Sequence, residues 1–253
     1  MGRVIAVVNQ KGGVGKTTTA VNLASGIASA ERRTLLIDLD PQGNATTGLG
    51  ISKNSANPNV YHVLIEEYPL QDVLRDTALQ TLFLAPADID LVGAEVELVS
   101  FSEREGRLKI ALSPILEEFA YVIIDCPPSL GLLTLNALTA ADSALVPLQC
   151  EYYALEGLAY LLRTIRLVKE SFNPGLEIEG ILLTMFDGRT TLAGQVRAEV
   201  LRHFGQQVLK TVIPRNVRLS EAPSHGKSIF HYDLHSSGAL AYLELTKEVL
   251  AHG

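Results

Sequence analysis

The chain has 253 residues, 28 acidic and 21 basic, which gives a formal net charge of -7 at pH 7. This acidic balance argues against a protein that is basic overall and coats nucleic acid. The chain has only two cysteines, so we do not expect a disulfide framework. This cysteine content is typical of a protein in a reducing compartment. No signal peptide and no bilayer-spanning apolar run is visible in the sequence. We therefore expect a cytoplasmic protein with a single domain over residues 1–253.

The first predicted elements enclose a glycine-rich loop. An apolar run at residues 4–8 predicts a buried strand, and residues 19–30 predict a helix. Between them stands Asn-Gln-Lys-Gly-Gly-Val-Gly-Lys-Thr-Thr, residues 9–18. Glycines let successive backbone N–H groups turn inward around an anion, and the following helix aims its free N–H groups at the same point. Strand, loop and helix together predict a cradle for a nucleoside triphosphate.

The residue types of this loop match the chemistry of a triphosphate. Lys16 offers an ammonium to the β- and γ-phosphates, and the Thr17 hydroxyl is a candidate Mg²⁺ ligand. Gln10 stands where the usual G-x-x-x-x-G-K-[ST] pattern has its first glycine, and a second lysine, Lys11, precedes the glycines. This is the deviant Walker A form of the P-loop. We expect nucleotide contacts from Lys11, Gly12, Gly13, Val14, Gly15, Lys16, Thr17 and Thr18.

The second predicted strand, residues 34–39, delivers two aspartates. Asp38 and Asp40 stand at its end and are followed by Pro-Gln-Gly. The loops at the carboxyl ends of parallel strands line the ligand crevice, so we expect both carboxylates to face the phosphate site.

Residues 57–118 carry apolar patterns without recognisable chemistry. They predict one or two short helices at 57–76, a strand at 82–86 and helices at 91–98 and 103–118. Their apolar positions are interpreted as core or dimer contacts.

The strand predicted at residues 121–125 has the form of a Walker B strand. Four apolar-type residues end in Asp125, a carboxylate that would hold Mg²⁺ directly or through water. Cys126 follows and is more typical of a small core residue than of a nucleophile. Residues 129–133 are candidates for sensing the γ-phosphate.

The remaining elements complete an alternating pattern. Strands are predicted at 144–149, 178–184 and 208–213, with helices at 155–171 and 193–204. Alternation of strands and helices predicts an α/β fold with a doubly wound, mainly parallel sheet and helices on both faces. A closing helix at 238–250 lacks a basic polar face and is interpreted as packing on the core rather than on a membrane.

Positive charge is concentrated late in the chain. Residues 189–227 hold seven basic and two acidic side chains, a net charge of +5 that leaves -12 for the remainder. A basic surface is therefore compatible with an acidic protein.

Over essentially its whole length the sequence resembles the ParA/Soj-type partition ATPases. Beyond the P-loop, the resemblance rests on Leu-Leu-Ile-Asp-Leu-Asp-Pro-Gln-Gly-Asn-Ala-Thr at 35–46, Ile-Ile-Asp-Cys-Pro-Pro-Ser at 123–129, Cys-Glu-Tyr-Tyr-Ala-Leu-Glu-Gly at 150–157 and Ile-Pro-Arg-Asn-Val-Arg-Leu-Ser-Glu-Ala-Pro-Ser-His-Gly at 213–226. This chain differs from many members of the family at the end of the first helix. Those members have a glycine there, whereas this sequence reads Ser-Ala-Glu-Arg-Arg at 29–33.

The resemblance implies an ATP-driven dimer with two nucleotides between the subunits. Lys11 of each subunit would reach the phosphates bound by the other, and Gly12 would allow the two loops to approach closely. Asp40 would orient the attacking water, while Lys16 and Lys11 offset charge in the phosphoryl transition state. Mg²⁺ would be held by Thr17 and Asp125.

The resemblance also implies an adenine site, a DNA surface and a protein partner. Met185, Pro214 and Asn216 match positions that hold the adenine ring in relatives. Arg189 and Arg218 match positions that bind DNA without sequence preference in the ATP-bound dimer. Each subunit would contribute one weakly binding basic patch, and the dimer would bind DNA through both patches at once. Hydrolysis would be slow and stimulated by a ParB-like centromere-binding protein, and the protein would be associated with the nucleoid. Arg197, Arg202 and Arg215 stay undecided between DNA contact and solvated surface.

Three alternatives keep the same nucleotide site. A metabolic ligase of the dethiobiotin-synthetase or cobyrinate-amidase type would act on a small carboxylic acid. A MinD-like spatial regulator would need a membrane-binding tail. A nitrogenase-reductase-like protein would need cluster-ligating cysteines, for which neither Cys126 nor Cys150 is placed.

Overall fold

The computed structural model describes residues 2–53, 56–151 and 154–252. Tyr152 and Tyr153, within the motif at 150–157, lie outside the described residues. The strands are β1 (Arg3–Val7), β2 (Thr34–Asp38), β3 (Arg75–Asp76), β4 (Leu82–Ala85), β5 (Tyr121–Asp125), β6 (Ser143–Gln149), β7 (Glu177–Phe186) and β8 (Val208–Pro214). They form one sheet in the order β3-β4-β2-β5-β1-β6-β7-β8, and all neighbours are parallel except β3 with β4.

Helices cover both faces of this sheet. They are α1 (Lys16–Ser29), α2 (Asn44–Gly48), α3 (Val60–Ile65), α4 (Leu70–Val73), α5 (Leu91–Glu97), α6 (Arg107–Leu112), α7 (Leu132–Ala140), α8 (Ala154–Ser171), α9 (Thr191–Phe204), α10 (Val217–Glu221), α11 (Ile229–Tyr232) and α12 (Ser237–Ala251). Alternate residues of the central strands enter two separate hydrophobic clusters: Ala6 packs with residues of α3 to α9, and Ile5 with residues of α1 and α10 to α12. The predicted doubly wound α/β fold is confirmed.

The strand predictions were more accurate than the helix predictions. All seven predicted strands are present, and the two-residue edge strand β3 was missed. The helix predicted at 103–118 is wrong in part, because only Arg107–Leu112 is α-helical and a 3-10 segment, Ser113–Glu118, with Pro114 near its start, follows. The short helices α2, α7, α10 and α11 were not predicted.

Strand order brings three strand ends to one edge of the sheet. β5 lies between β1 and β2, and Asp125 is the register partner of both Val7 and Asp38. The glycine loop after β1 and the aspartates at the ends of β2 and β5 therefore share the carboxyl edge, where open α/β sheets bind ligands.

The end of α1 shows the consequence of the missing glycine. Glu31 adopts the left-handed conformation with φ 59°, and its N–H donates to the carbonyl of Ala28 at 3.0 Å. The chain thus makes the usual helix-ending turn with a residue that carries a Cβ.

The last helix packs on α1. Tyr242, Leu245 and Val249 are buried, and the hydroxyls of Tyr242 and Thr19 are 3.1 Å apart. Leu240 and Leu243 instead remain exposed, so the apolar residues of this helix do not all serve the core. Among the described residues, no helix is both long and apolar enough to cross a membrane.

Candidate nucleotide-binding site

The glycine loop joins β1 to α1 with two residues in the left-handed conformation. Gly13 has φ 74° and Gly15 has φ 88°, values that residues with a Cβ rarely adopt. Gly15 is the N-cap of α1, and within the described structure no side chain caps the first turn. The free backbone N–H groups of Lys16, Thr17 and Thr18 therefore form a site suited to phosphate oxygens.

Two anchors that the sequence did not reveal hold this loop in place. The buried Asn9 side chain accepts from the N–H of Lys11 at 3.0 Å and donates to the carbonyl of Pro147 at 2.7 Å. From β7, the Thr184 hydroxyl donates to the carbonyl of Val14 at 2.8 Å. Both bonds join the loop to strands on one side of β1, which keeps its N–H groups preorganised.

Lys16 is folded back over the loop. Its side chain is buried, and Nζ donates to the carbonyl of Lys11 at 3.1 Å. Burial lowers the pKa of Lys16, while the negative charges of Asp125 and Asp40 act in the opposite direction. The ammonium thus contacts the loop and is close enough to the carboxylates of Asp40 and Asp125 for their charges to act on it.

Lys11 points in another direction. Its side chain is 49% exposed, and its ammonium forms an ion pair with the carboxylate of Glu151, which follows β6. In the single subunit, the Lys11 side chain thus points away from the loop, whereas the Lys16 side chain folds back over it.

Asp125 has the character expected of a cation ligand. The residue is fully buried, and within the described residues neither carboxylate oxygen has a partner in good hydrogen-bond geometry. Burial raises its pKa well above the ordinary value, the charge of Asp38 raises it further, and interaction with the Thr17 side chain lowers it. A buried carboxylate without a well-formed hydrogen bond is costly, so these residues fit a bound Mg²⁺ held by Asp125 and Thr17. Burial also raises the pKa of the Cys126 thiol, consistent with a core residue.

The two aspartates at the end of β2 have different surroundings. Asp38 is fully buried and accepts from the N–H and the hydroxyl of Thr46, both at 2.8 Å, which fastens α2 to the sheet. Asp40 accepts from the N–H of Gln42 at 2.9 Å. Asp40 is also among the charges that raise the pKa of Lys16. Asp40 therefore lies close enough to Lys16 for its charge to act on that lysine, whereas Asp38 holds α2 and lies close enough to Asp125 to raise the pKa of that carboxyl.

A cavity of about 450 Å³ opens beside the loop. Its lining includes Gly15 and Thr18 together with Met185, Pro214 and Asn216, so the structure brings together residues predicted for the phosphate and for the adenine. Met185 has φ 49°, a strained conformation for a residue with a Cβ and one that often marks a ligand site. Further lining residues, not predicted, are Ile213, Val217, Leu219 and Tyr242.

Arg189 and Arg218 lie outside this cavity and are both ion-paired. Arg189 binds Asp187 through two hydrogen bonds of 2.8 and 2.7 Å, which lower the pKa of that carboxyl to about 2. Arg218 lies 2.9 Å from a carboxylate oxygen of Glu221 and 3.4 Å from one of Asp233. The positive charges predicted for DNA contact are therefore partly offset within the subunit.

A left-handed glycine loop between strand and helix, a buried lysine over it and a buried aspartate on the adjacent strand define a P-loop nucleoside triphosphatase. A protein-family profile described as AAA domain matches residues 2–178. The chromosome partitioning protein ParA of Myxococcus xanthus is 59% identical over 250 residues, 99% of this chain and 88% of the relative. The sporulation initiation inhibitor protein Soj of Bacillus subtilis is 58% identical over 253 residues, the whole of both chains.

Among solved structures, cobyrinic acid a,c-diamide synthase from Mycobacterium smegmatis with bound ADP and magnesium has a TM-score of 0.88 and 42% identity, covering 100% of this chain and 95% of that one. On the whole-length matches, the chain belongs to the ParA/Soj-type partition ATPases.

Proposed function

We propose that this single-domain chain is an Mg²⁺-dependent ATPase that dimerises on ATP, binds DNA without sequence preference as the dimer and drives partition of a chromosome or plasmid. The observation that carries the proposal is the match, over the whole chain, to two proteins named for partitioning and sporulation control. A neighbour of similar fold holds ADP and magnesium, which supports ATP and Mg²⁺ as the ligands of the loop and cavity.

The surroundings of Gly12 and Lys11 support a dimer across the nucleotide. No described atom lies within 4 Å of a Cβ built on Gly12, so the glycine is not required by packing inside the subunit. Lys11 extends from the same exposed segment and is 49% accessible. A glycine and a lysine at an open surface suit close approach of a second copy, with the lysine reaching the phosphates of the partner.

The remaining residues have complementary tasks in hydrolysis. Lys16 and the free N–H groups of the α1 terminus hold the phosphates and offset developing negative charge. Asp40, next to this group, orients the attacking water and accepts its proton. Mg²⁺ held by Thr17 and Asp125 would neutralise charge on the phosphate oxygens.

DNA binding depends on charge that two subunits combine. The segment 189–227 carries a net +5, and its Arg189 side chain is 89% exposed. One such patch neutralises few phosphates, whereas two joined patches neutralise twice as many, and the ATP-driven dimer therefore acts as a DNA-binding switch. A ParB-like partner would stimulate hydrolysis and return the protein to its weakly binding state on the nucleoid.

The proposal is tested by co-sedimentation with DNA in the presence of ATP, ADP or no nucleotide, across a salt series. We expect DNA binding with ATP, but not with ADP or without nucleotide, and we expect this binding to weaken steeply as the salt concentration rises. Replacing Arg189 and Arg218 by alanine should abolish it without weakening ATP affinity. A matched control replaces the exposed Arg32 and Lys109, which lie outside the basic segment, and should leave DNA binding intact. DNA binding that does not depend on the nucleotide, or the absence of any DNA binding, would contradict the proposed ATP-dependent switch.

A second candidate is amide synthesis, which the name of the 42% identical structural neighbour favours. Such an enzyme would turn over ATP rapidly with a carboxylic acid substrate and ammonia, and DNA would have no effect. ATP turnover measured with cobyrinic acid, and separately with DNA, distinguishes the two.

A further inference from the structure

A small cavity lies between α1, the turn before β4 and the start of α11. It has a volume of about 160 Å³, and among the described residues it shares no lining residue with the nucleotide cavity. Leu49, Leu79 and Leu82 contribute apolar surface to its lining, and Ser25 and Ser228 contribute hydroxyl groups. Both serines are buried. We call this space the α1–α11 cavity.

The hydroxyl of Ser25 is unsatisfied in the α1–α11 cavity. The residue is fully buried on α1, and in the part of the chain that the structure describes its Oγ has no hydrogen-bond partner. Buried polar groups of folded proteins are nearly always paired, because leaving one unpaired destabilises the fold. A polar atom of a bound molecule would supply the missing partner. The free hydroxyl therefore points to a ligand.

Contacts between α1 and the segment after Lys227 bring the second serine to the same side of the helix. Asn22 precedes Ser25 by three residues, which places the two side chains on one face of α1. The side-chain oxygen of Asn22 accepts from the N–H of Ile229 at 2.8 Å, so the neighbouring Ser228 lies beside that face.

The hydroxyl of Ser228 can also serve a ligand. Its Oγ lies 3.1 Å from Nδ1 of His231. In the tautomer in which Nδ1 carries the proton, the ring donates to the serine oxygen, and the serine O–H is left to donate into the cavity. The two buried serines can therefore supply two hydrogen-bond donors to one acceptor group.

The ionisable side chains of the lining are basic. They are Lys227 and His231, both of which are exposed, and none of the described lining residues is acidic. Within the described structure the Lys227 ammonium has no ion-pair partner, whereas Arg218, in the same basic segment, is paired with Glu221. Two hydroxyl donors and an unpaired cation favour an acceptor that carries negative charge.

We propose that the α1–α11 cavity binds a short-chain monocarboxylate. Its carboxylate accepts from Ser25 and Ser228 and pairs with Lys227, while its alkyl chain packs on the three leucines. Inorganic phosphate fits less well, because it would turn charged oxygens towards this apolar surface. A water molecule takes about 30 Å³ of liquid volume, so 160 Å³ suits a ligand of roughly five or six non-hydrogen atoms, the size of butyrate. The inference goes beyond the proposed function, because it requires neither the dimer nor DNA.

The test titrates butyrate into the full-length chain and follows binding by saturation-transfer NMR, with and without ADP and Mg²⁺. We expect saturable binding with a Kd of about 1 mM in both cases. Butyramide, which has the same size but no charge, should bind about tenfold more weakly. Acetate, which is two methylene groups shorter, should also bind about tenfold more weakly. Inorganic phosphate should not displace butyrate.

Ser25→Ala separates a ligand-binding hydroxyl from a structural one. It should weaken butyrate binding about tenfold, since it removes a donor to a charged group. It should not lower the melting temperature of the ligand-free protein, because the hydroxyl has no described partner to lose. Ser29→Ala is the matched control on the same helix. Its hydroxyl donates to the carbonyl of Ser25 at 2.8 Å and lies outside the described lining, so butyrate binding should be unchanged.

Lys227→Gln tests the charge and should weaken butyrate binding about two- to fivefold. Lys109→Gln, which removes an equal charge at an exposed position on α6, should not change it. Displacement of butyrate by ADP would place it in the nucleotide cavity, and displacement by phosphate would indicate an anion site without apolar recognition. Equal binding of butyramide would exclude recognition of charge, and no saturable binding would mean that the cavity holds water only. Each of these results, or equal losses in Ser25→Ala and Ser29→Ala, would overturn the proposal.

Discussion

The ammonium of Lys11 is paired with the carboxylate of Glu151, and both side chains are about half exposed, at 49% and 46%. In the proposed dimer this lysine leaves Glu151 for the phosphates of the partner subunit. Glu151 therefore competes with the triphosphate for the lysine and opposes dimer formation.

Replacing Glu151 by glutamine should strengthen the dimer formed with non-hydrolysable ATP. An exposed ion pair contributes about 0.2–1 kcal/mol, so the expected gain is roughly 1.4- to fivefold per site. Sedimentation equilibrium measures the dissociation constant of the dimer. Glu156→Gln, at another exposed glutamate early in α8, should have no effect. A weaker dimer in Glu151→Gln would mean that Glu151 helps rather than opposes assembly.

Gly12→Val tests the close approach of two subunits. A Cβ at this position meets no described atom within 4 Å, and Gly12 is not in the left-handed region. The variant should therefore fold with a stability within about 0.5 kcal/mol of wild type, bind ATP, and stay monomeric. Size-exclusion chromatography with ATP checks this. Gly194→Val, equally open but on α9, should still dimerise. A normal dimer in Gly12→Val would contradict the role assigned to the glycine.

Asp40→Ala should abolish hydrolysis without preventing nucleotide binding. In the proposed mechanism Asp40 orients the attacking water, and losing such a group reduces the rate by about 10²–10⁴. The variant should accumulate as an ATP-bound dimer on DNA, measured by phosphate release and by co-sedimentation. Gln42→Ala keeps the backbone N–H that Asp40 binds and serves as the control. Undiminished hydrolysis in Asp40→Ala would remove this residue from the mechanism.

Asp38 should make the stability of the fold depend on pH. Burial raises its pKa from 3.8 to about 6, against the opposing hydrogen bonds of Thr46. Between about pH 4 and 6 the folded state then holds a proton that the unfolded state has lost, so stability falls as pH rises, by at most about 1.4 kcal/mol per pH unit. Because burial also raises the pKa of Asp125, Asp38→Asn should reduce this slope rather than abolish it in urea denaturation measured from pH 4 to 7.

Two comparisons make the pH experiment specific. Asp76→Asn, at an exposed position, should keep the slope of the wild type. Because the charge of Asp38 raises the pKa of Asp125, Asp38→Asn should also shift the titration of Asp125 downward. Identical pH profiles for wild type and Asp38→Asn would contradict the assignment.

The parts of the site that sequence alone could predict are those with a local pattern. The glycine loop and Asp125 follow apolar runs that can only be buried strands in this setting, so their meeting at one sheet edge follows from topology. Asn9 and Thr184 could not be predicted, since their partners, Pro147 and Val14, are distant in the chain.

The different surroundings of Asp38 and Asp40 were also not predicted. Residues i and i+2 point to the same side of a sheet as long as both belong to the strand. Since β2 ends at Asp38, this rule does not extend to Asp40. The short helices α10 and α11 span five and four residues, fewer than hydrophobic periodicity needs to be recognised.

Glu31 offers a test of stability that is independent of function. The residue ends α1 with φ 59°, and its turn is closed by bonds from the N–H groups of Glu31 to Ala28 and of Arg32 to Ile27, at 3.0 and 3.4 Å. Glycine relieves a left-handed strain of about 1–2 kcal/mol but increases the entropy of the unfolded chain, so Glu31→Gly should gain roughly 0.5–1 kcal/mol. For a chain of this size the melting temperature should rise by about 1–4 °C.

Alanine at the same position separates backbone strain from charge. Glu31→Ala removes the carboxylate but keeps the Cβ that makes the left-handed conformation costly, so its melting temperature should stay near that of the wild type. A rise in Glu31→Ala as large as that in Glu31→Gly would mean that the carboxylate, next to Arg32 and Arg33, is the destabilising group. Since the turn lies at the amino-terminal edge of the sheet, opposite the glycine loop, neither variant should change ATP turnover, and a change in turnover would show that the helix end and the nucleotide site are coupled.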